Sequence, residues 1–434
     1  MTGLSLGVDF GTTNTVVALA GAEGPAQLVT FPAPERDVFA FRSAISFHAP
    51  PERPSDRTVE AGPWAIEAYV EDPLETRFIQ SFKSFAASAS FSETQILGKR
   101  YQFEDLLAAF LLKMRDHVKG GHADWPKRLI VGRPVTFAGA APSEDLALTR
   151  YEAAFKRLGF EEILYAYEPV GAAFFFAREL QEDATVLVGD FGGGTSDFSI
   201  IRFHREAGEI RSTPLGRSGV GVAGDAFDYR IIDHLVSPSL GKGSSYTSFG
   251  KILPIPNRYY SAFARWDQLA LMRASRDMRE IRKLVREANE PEKIERLVET
   301  LDENYGYLLY RAISTLKEAL SRDDAAEFRF EAGTIALGRT VARTEFEGWI
   351  APELEAIDKA VDRALADAGL GPDGIDRIFL TGGSSLVPAV RQIFTRRFDP
   401  AKIESGSELE SIASGLALMG RERDLDRWCK RAAV

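Results

Sequence analysis

Two strings in the chain combine an aspartate, glycines and hydroxyls in the same order. Asp9-Phe10-Gly11-Thr12-Thr13-Asn14 follows the apolar Leu6-Gly7-Val8, and Asp190-Phe191-Gly192-Gly193-Gly194-Thr195-Ser196-Asp197 follows Val186-Leu187-Val188. An acid at the end of an apolar strand is costly unless its charge is used. Three successive glycines at a strand end weaken the strand and give close access to the backbone. The combination suits a nucleotide: turn amides wrap the phosphates while each Asp holds hydrated magnesium, an ion that keeps several waters and needs only one or two carboxylates. One Asp-x-Gly turn alone is ordinary hairpin chemistry. Two copies, too far apart for a solenoid repeat, point to two related halves of one fold.

Other strings exclude more than they support. Gly219-Val220-Gly221-Val222-Ala223-Gly224 spells the dinucleotide pattern, but Thr213-Pro214-Leu215-Gly216-Arg217-Ser218 before it is not a hydrophobic strand, so the Rossmann context fails. Gly224 is expected to open a helix whose first amides face a phosphate, or simply to precede a cap at Asp225. No G-x-x-x-x-G-K-[ST], H-E-x-x-H or G-x-S-x-G string occurs, which removes P-loop, zinc-protease and serine-hydrolase readings.

The elements that must position these residues alternate. Leu4–Ala20 reads as a hairpin, and a second hairpin signal starts at Thr185. Helical spacing marks 103–119, 143–158 and 170–180, with strands at 129–131 and 163–166 between them. Prolines at 32, 34, 50, 51, 54 and 63 predict a loop-rich insertion reaching about Tyr101. Residues 237–262 read as a long surface loop, 264–321 as charge-patterned helix, 378–380 as a strand ending in Gly382-Gly383-Ser384-Ser385, and 412–419 as a late helix. The result is an α/β order.

Composition narrows the classes. The 434 residues are 45% hydrophobic and 27% charged with net charge −10, which fits a soluble globular protein and repels nucleic acid and anionic lipid. One cysteine, Cys429, and five histidines offer neither a disulfide nor a zinc cluster, and no apolar run approaches bilayer length. A cytoplasmic protein without nucleic-acid or membrane partners is expected.

Nearly the whole chain resembles the actin-like ATPase fold, and within it the nucleotide-binding domain of the DnaK-type (heat-shock-protein-70) chaperones. The two Asp-Gly strings look like the family's phosphate segments. Glu168-Pro169-Val170-Gly171-Ala172-Ala173 is similar to its connecting segment, and Gly132-Arg133-Pro134-Val135 to the segment with its switch proline. Lys83, in Ser81-Phe82-Lys83-Ser84-Phe85, falls at the family's catalytic lysine; taken alone, a lysine among Phe78, Phe82 and Phe85 would be a snorkelling surface residue. Gly382, Gly383 and Ser384 look like the adenosine turn, Lys317 and Ser321 like the adenosine-contacting helix. The Lys-Ser-Phe, Gly-Arg-Pro and Tyr-Glu-Pro-Val strings are those of YegD-like short forms. Ser314 replaces a ribose-binding glutamate and Leu386 an adenine-stacking arginine, a loss worth about ten-fold in nucleotide affinity.

The resemblance implies two lobes, each with a central sheet and flanking helices, around a nucleotide cleft. Lobe one would be 1–183 with an insertion at 31–102, and lobe two 184–407 with a helical insertion at 226–329; a C-terminal helix in 408–434 would return to lobe one. It implies ATP or ADP with Mg²⁺ at Asp9 and Asp190, and phosphate contacts from Gly11, Thr12, Thr13, Asn14, Gly192, Gly193, Gly194 and Gly224. The catalytic set would be Lys83, Glu168, Asp197 and Thr195. Slow hydrolysis would drive a switch read by a separate protein that senses lobe closure, since Arg421–Val434 leaves no room for a peptide-binding domain. A non-hydrolysing scaffold, a filament-forming relative and a small-molecule kinase are the alternatives.

Overall fold

The computed structural model describes residues 5–32, 37–49, 57–72, 75–121, 125–139, 141–206, 209–264, 269, 272, 275–405, 409–422 and 424–432. Contacts divide the chain into two compact units. The first comprises Met1–Ala223, Glu355–Leu386 and Val390–Val434, the second Gly224–Leu354 with Val387–Ala389.

The first unit contains two sheets of matching topology. In one, β1 (Ser5–Phe10) and β2 (Asn14–Ala20) form an antiparallel hairpin, β10 (Arg128–Arg133) runs parallel to β1, and β11 (Glu162–Tyr167) parallel to β10. Short β3 (Gln27–Leu28) and β4 (Phe41–Arg42) extend from β2, and β21 (Cys429–Lys430) pairs antiparallel with β11. In the other, β12 (Ala184–Phe191) and β13 (Ser196–Glu206) form the hairpin, β14 (Glu209–Val220) continues from β13, and β19 (Arg377–Thr381) and β20 (Ile403–Ser405) run parallel on the far side of β12. The orders β11-β10-β1-β2-β3 and β20-β19-β12-β13-β14 correspond strand for strand.

Helices α2 (Phe103–Asp116), α3 (Glu144–Lys156) and α4 (Glu168–Phe176) alternate with the strands of the first sheet. In α2 the buried positions Phe103, Leu106, Leu107, Phe110, Leu111 and Met114 recur every three or four residues, as one helical face requires. Helix α12 (Ser411–Met419) is buried along its whole length and touches the sheet backbone directly. A Cβ on Gly7 would sit 2.3 Å from the Ala413 carbonyl, and one on Gly415 1.7 Å from that of Gly171, so only glycine permits these crossings. The Ser5 hydroxyl donates to the Ala417 carbonyl at 2.8 Å.

The segment read as loop-rich is more ordered than its prolines suggest. Strands β5 (Ala44–His48), β6 (Thr58–Ala61) and β7 (Thr76–Gln80) form a sheet beside α1 (Gly62–Glu71), and β8 (Thr94–Ile96) pairs with β9 (Lys99–Tyr101). Pro63 lies in the first turn of α1, where a missing N–H costs nothing; Pro34, Pro50, Pro51 and Pro54 lie outside the described residues.

The second unit begins with α5 (Gly224–Ile231), as expected from Gly224. The stretch 237–262 is a hairpin, β15 (Ser245–Ser248) with β16 (Lys251–Pro254), between short helical turns, and not one open loop. Helices α6 (Arg276–Leu284), α7 (Pro291–Asp302) and α8 (Gly306–Arg322) divide the charged segment. The hairpin of β17 (Ala325–Ala332) and β18 (Ile335–Ala342) and helix α9 (Arg343–Trp349) follow. Helices α10 (Ala351–Ala368) and α11 (Pro388–Thr395) follow in the chain and belong to the first unit from Glu355 and from Val390 onward.

Candidate functional site

Lys83 sits in a single 3₁₀ turn, Phe82–Phe85, entered through Ser81 in the left-handed region (φ 55). The turn is held from behind by Arg150 of α3, whose Nη1 donates to the carbonyls of Phe85, Ala86 and Ser88 at 2.9, 3.0 and 3.2 Å and whose Nη2 donates to that of Phe91. Thus restrained, Lys83 Nζ donates to Glu168 Oε1 at 2.7 Å, with both side chains buried. Glu168 opens α4 with Pro169 in its first turn. It packs on Gly132, where a Cβ would come within 3.0 Å of Glu168 Cγ.

The two Asp-Gly strings form the turns of the two main hairpins and close identically. Gly11 N–H donates to the Asn14 carbonyl and Gly192 N–H to the Thr195 carbonyl, both at 3.0 Å. They also approach each other: a Cβ on Gly194 would lie 3.5 Å from the Thr12 hydroxyl. In the first hairpin Asp9 opposes Val16; in the second Asp190 opposes Asp197 directly. Asp197 is buried, and its Oδ1 accepts from the amides of Val135 and Thr136 at 2.9 and 3.1 Å, tying the second hairpin to the segment after β10. Gly219 leaves room for this carboxylate, since a Cβ there would stand 2.5 Å from Oδ1.

Electrostatics reflect four carboxyls around one cation. Burial, then Glu168, pushes Asp9 up to about 7, with Lys83 opposing. Burial and Glu168 likewise take Asp197 to about 7 against the Thr195 hydroxyl, the Thr136 amide and Lys83. Burial holds Asp190 well above the carboxylate range, with Glu168, Asp9 and Asp197 adding to it. Burial alone would lower Lys83, but Glu168, with Tyr151 and Asp9, keeps it above the usual lysine range. The site therefore attracts positive charge.

Comparison with known proteins agrees with this arrangement. The family model described as Hsp70 protein matches residues 77–243 and 277–421. The chain belongs to the Hsp70 family. The chaperone protein DnaK of Thermus thermophilus is 25% identical over 97% of this chain and 62% of its own length, so the chain spans about three-fifths of that relative. The paired sheets are accordingly the mixed α/β, actin-like ATPase fold of Hsp70 proteins.

Among the described residues no three His, Cys, Asp or Glu side chains stand close enough to enclose a metal. The donor set still fits magnesium, which binds through one or two carboxylates and its own waters; Asp9 and Asp190 are the residues that would hold it, and Asp197 Oδ2 is buried without a hydrogen-bond partner of ordinary geometry. Gly382 (φ 82) must be glycine, because a Cβ would meet the Phe191 carbonyl at 2.3 Å, and the Ser384 hydroxyl donates to the Gly192 carbonyl at 3.3 Å. The Gly382–Ser384 turn thus abuts the second Asp-Gly turn. In the other unit, Lys317 Nζ contacts Asp228 at 2.7 Å and the Gly224 carbonyl at 3.3 Å, while the Ser321 hydroxyl donates to the Lys317 carbonyl.

Sequence reasoning missed several residues that shape an Hsp70-type site. The Ser43 hydroxyl donates to the Gly11 carbonyl at 2.7 Å and lies 2.9 Å from the Thr15 hydroxyl. Arg133 and Arg217 both stack on the Tyr167 ring, at 4.0 and 4.7 Å from its centroid, immediately before Glu168. β14 was missed because Thr213–Ser218 is polar and Pro214 adjoins the bulge in its pairing with β13. Among the described residues, no helix is long and apolar enough to cross a membrane.

Proposed function

We propose that this Hsp70-family chain binds ATP with Mg²⁺ and hydrolyses it slowly as a conformational switch. The observation that carries the reading is the buried Lys83–Glu168 pair beside two duplicated Asp-Gly turns. Amides of Gly11 to Thr13 and of Gly192 to Thr195 bind the β- and γ-phosphates, and Asp9 and Asp190 orient the ion through its waters. When bound, Mg²⁺ neutralises phosphate charge. Lys83 stabilises charge developing on the γ-phosphoryl oxygens, while Glu168 and Asp197 orient the attacking water and the Thr195 hydroxyl steadies Asp197. Because Asp197 also holds the amides of Val135 and Thr136, a change at the γ-phosphate would reach the Pro134 segment. A separate protein then reads the two states.

Non-hydrolysing binding is the second reading, favoured by Leu386, which is 56% exposed and offers no guanidinium to stack on a base. Calorimetric titration with ATP, ADP and GTP, with and without Mg²⁺, followed by single-turnover hydrolysis, separates the two. Mg²⁺-dependent ATP binding with measurable turnover supports the first; binding without turnover supports the second; no binding defeats both.

A further inference from the structure

Beneath Asp9 and Lys83 lies a cluster of aromatic rings. Phe10, next to Asp9, packs on Phe82, next to Lys83, with centroids 5.5 Å apart, and both touch Phe110. Tyr151 of α3 completes the group. Its ring meets Phe10 edge-on at 5.9 Å and stacks on Phe103 at 6.0 Å, and the residue is fully buried. Every neighbour in that inner group is phenylalanine, and a phenylalanine would fill the same space.

The hydroxyl is the anomaly. Tyr151 Oη is buried with no hydrogen-bond partner among the described residues. Leaving such a group unpaired costs about 1–3 kcal/mol, and buried tyrosines usually find a partner. Tyr165, equally buried and 6.4 Å away ring to ring, does so: its hydroxyl donates to Glu152 at 2.9 Å. Tyr151 instead lies in the fields of Lys83, Glu168 and Asp9: burial raises its phenol, Lys83 opposes, and Glu168 and Asp9 add to the rise, so it stays protonated. Its neighbour in sequence, Arg150, already clamps the backbone of the Lys83 turn, while the Tyr151 ring lies against Phe10, the residue after Asp9.

We propose that Tyr151 is a positioning residue for Lys83, its hydroxyl accepting one N–H of the ammonium and aiming that cation at the reacting phosphate. Lysine has three donors and no acceptor. Glu168 takes one, a phosphate oxygen takes the second, and Tyr151 takes the third, so the ammonium is held by three directions and not by one. The inference rests on the hydrolytic reading above.

The test is Tyr151→Phe, alone and combined with Lys83→Ala, with hydrolysis, ATP affinity and melting temperature measured for each. Tyr151→Phe should lower kcat about 10-fold, the size of one hydrogen bond to a charged group, leave the KM for ATP unchanged, and keep or raise the melting temperature of the nucleotide-free chain, in which the hydroxyl has no partner among the described residues. In the Lys83→Ala background the same change should have no further effect. Unchanged kcat in Tyr151→Phe beside a strong loss in Lys83→Ala overturns the positioning role and leaves the hydrolytic reading standing. A lowered melting temperature together with lowered kcat also overturns it, by making the hydroxyl structural. A wild-type chain that binds ATP and never turns it over overturns the hydrolytic reading and this inference with it.

Discussion

The two Asp-Gly turns share strand order, length and closing hydrogen bond, yet they differ in how they carry charge. In the first, Asp9 faces the apolar Val16, and the turn is pinned by Ser43 through Gly11 and Thr15. In the second, Asp190 faces Asp197 on the neighbouring strand, and the one side-chain hydrogen bond found to the turn's backbone among the described residues is the longer one from Ser384. Like charges placed opposite each other across a ladder destabilise it. The duplicated frame therefore holds two different devices: a turn with one acid, pinned by Ser43, and a turn whose paired acids need a proton or a cation between folding and function and which is tied through Asp197 to the Val135 and Thr136 amides.

The sharpest way to break the comparison is to remove the cation that both turns feel. Lys83→Ala should cut hydrolysis by about 10²–10³ while ATP binding stays nearly intact. It also leaves Glu168 buried without its partner, a cost of about 3–5 kcal/mol, so single-turnover assays should be run well below the variant's melting temperature. Unchanged turnover would remove Lys83 from the chemistry. Next in size, Asp190→Asn and Asp9→Asn should each weaken Mg²⁺-dependent nucleotide binding about 10-fold or more, Asp190→Asn the more strongly because its carboxyl has the most acidic surroundings. Calorimetry in EDTA should show little change; an equal loss without metal would point to folding damage.

A smaller effect follows from the raised acids. Asp9 and Asp197 titrate near 7 in the folded chain against an ordinary value of 3.8. Between those values the folded state binds more protons than the unfolded state, so metal-free stability falls as pH rises from about 4 to 7 and stays low above. Urea unfolding across that range should show the decline, and Asp197→Asn should flatten it; a stability that rises through the window would contradict the shifts. The smallest effect concerns the turns alone. Ser43→Ala should lower stability by about 1 kcal/mol, and Ser384→Ala by less, as thermal melts of the two variants would show.

The sequence made the hairpins legible because their cue is local: an apolar strand, an acid and glycines within ten residues. Glu168 and Lys83 were legible only through resemblance, since nothing local marks a lysine among phenylalanines as buried and paired. Arg150, Tyr151 and Ser43 were not legible. Arg150 and Tyr151 read as ordinary residues of an amphipathic helix; what sets Arg150 apart is the carbonyls that Phe85, Ala86, Ser88 and Phe91 bring to it, and what sets Tyr151 apart is its burial among the rings of Phe10 and Phe103. Ser43 acts across a tertiary contact with a turn 32 positions away. β14 fails the alternation test because its Gly216 leaves room for α10, where a Cβ would meet the Ala368 amide at 2.5 Å, and Gly219 yields to Asp197, so packing demands glycine where strand propensity would demand bulk.

Helix α12 covers the face of the first sheet with its backbone against Gly7 and Gly171, and this has a consequence for biosynthesis. Apart from its edge strand β21, the sheet it covers is translated before the second sheet and the helical unit, and α12 only after both. At about 5–20 residues per second, roughly 10–50 s pass between emergence of α4 and of the helix that must lie across it. Throughout that interval the nascent chain presents Val16, Ala18 and Ala20 without Ala413, Ala417 and Leu418, the partners that bury them in the finished fold. Folding of the first sheet is thus completed after translation of the rest, and a chain stalled before residue 411 would display an uncovered sheet to the quality-control machinery of its cell.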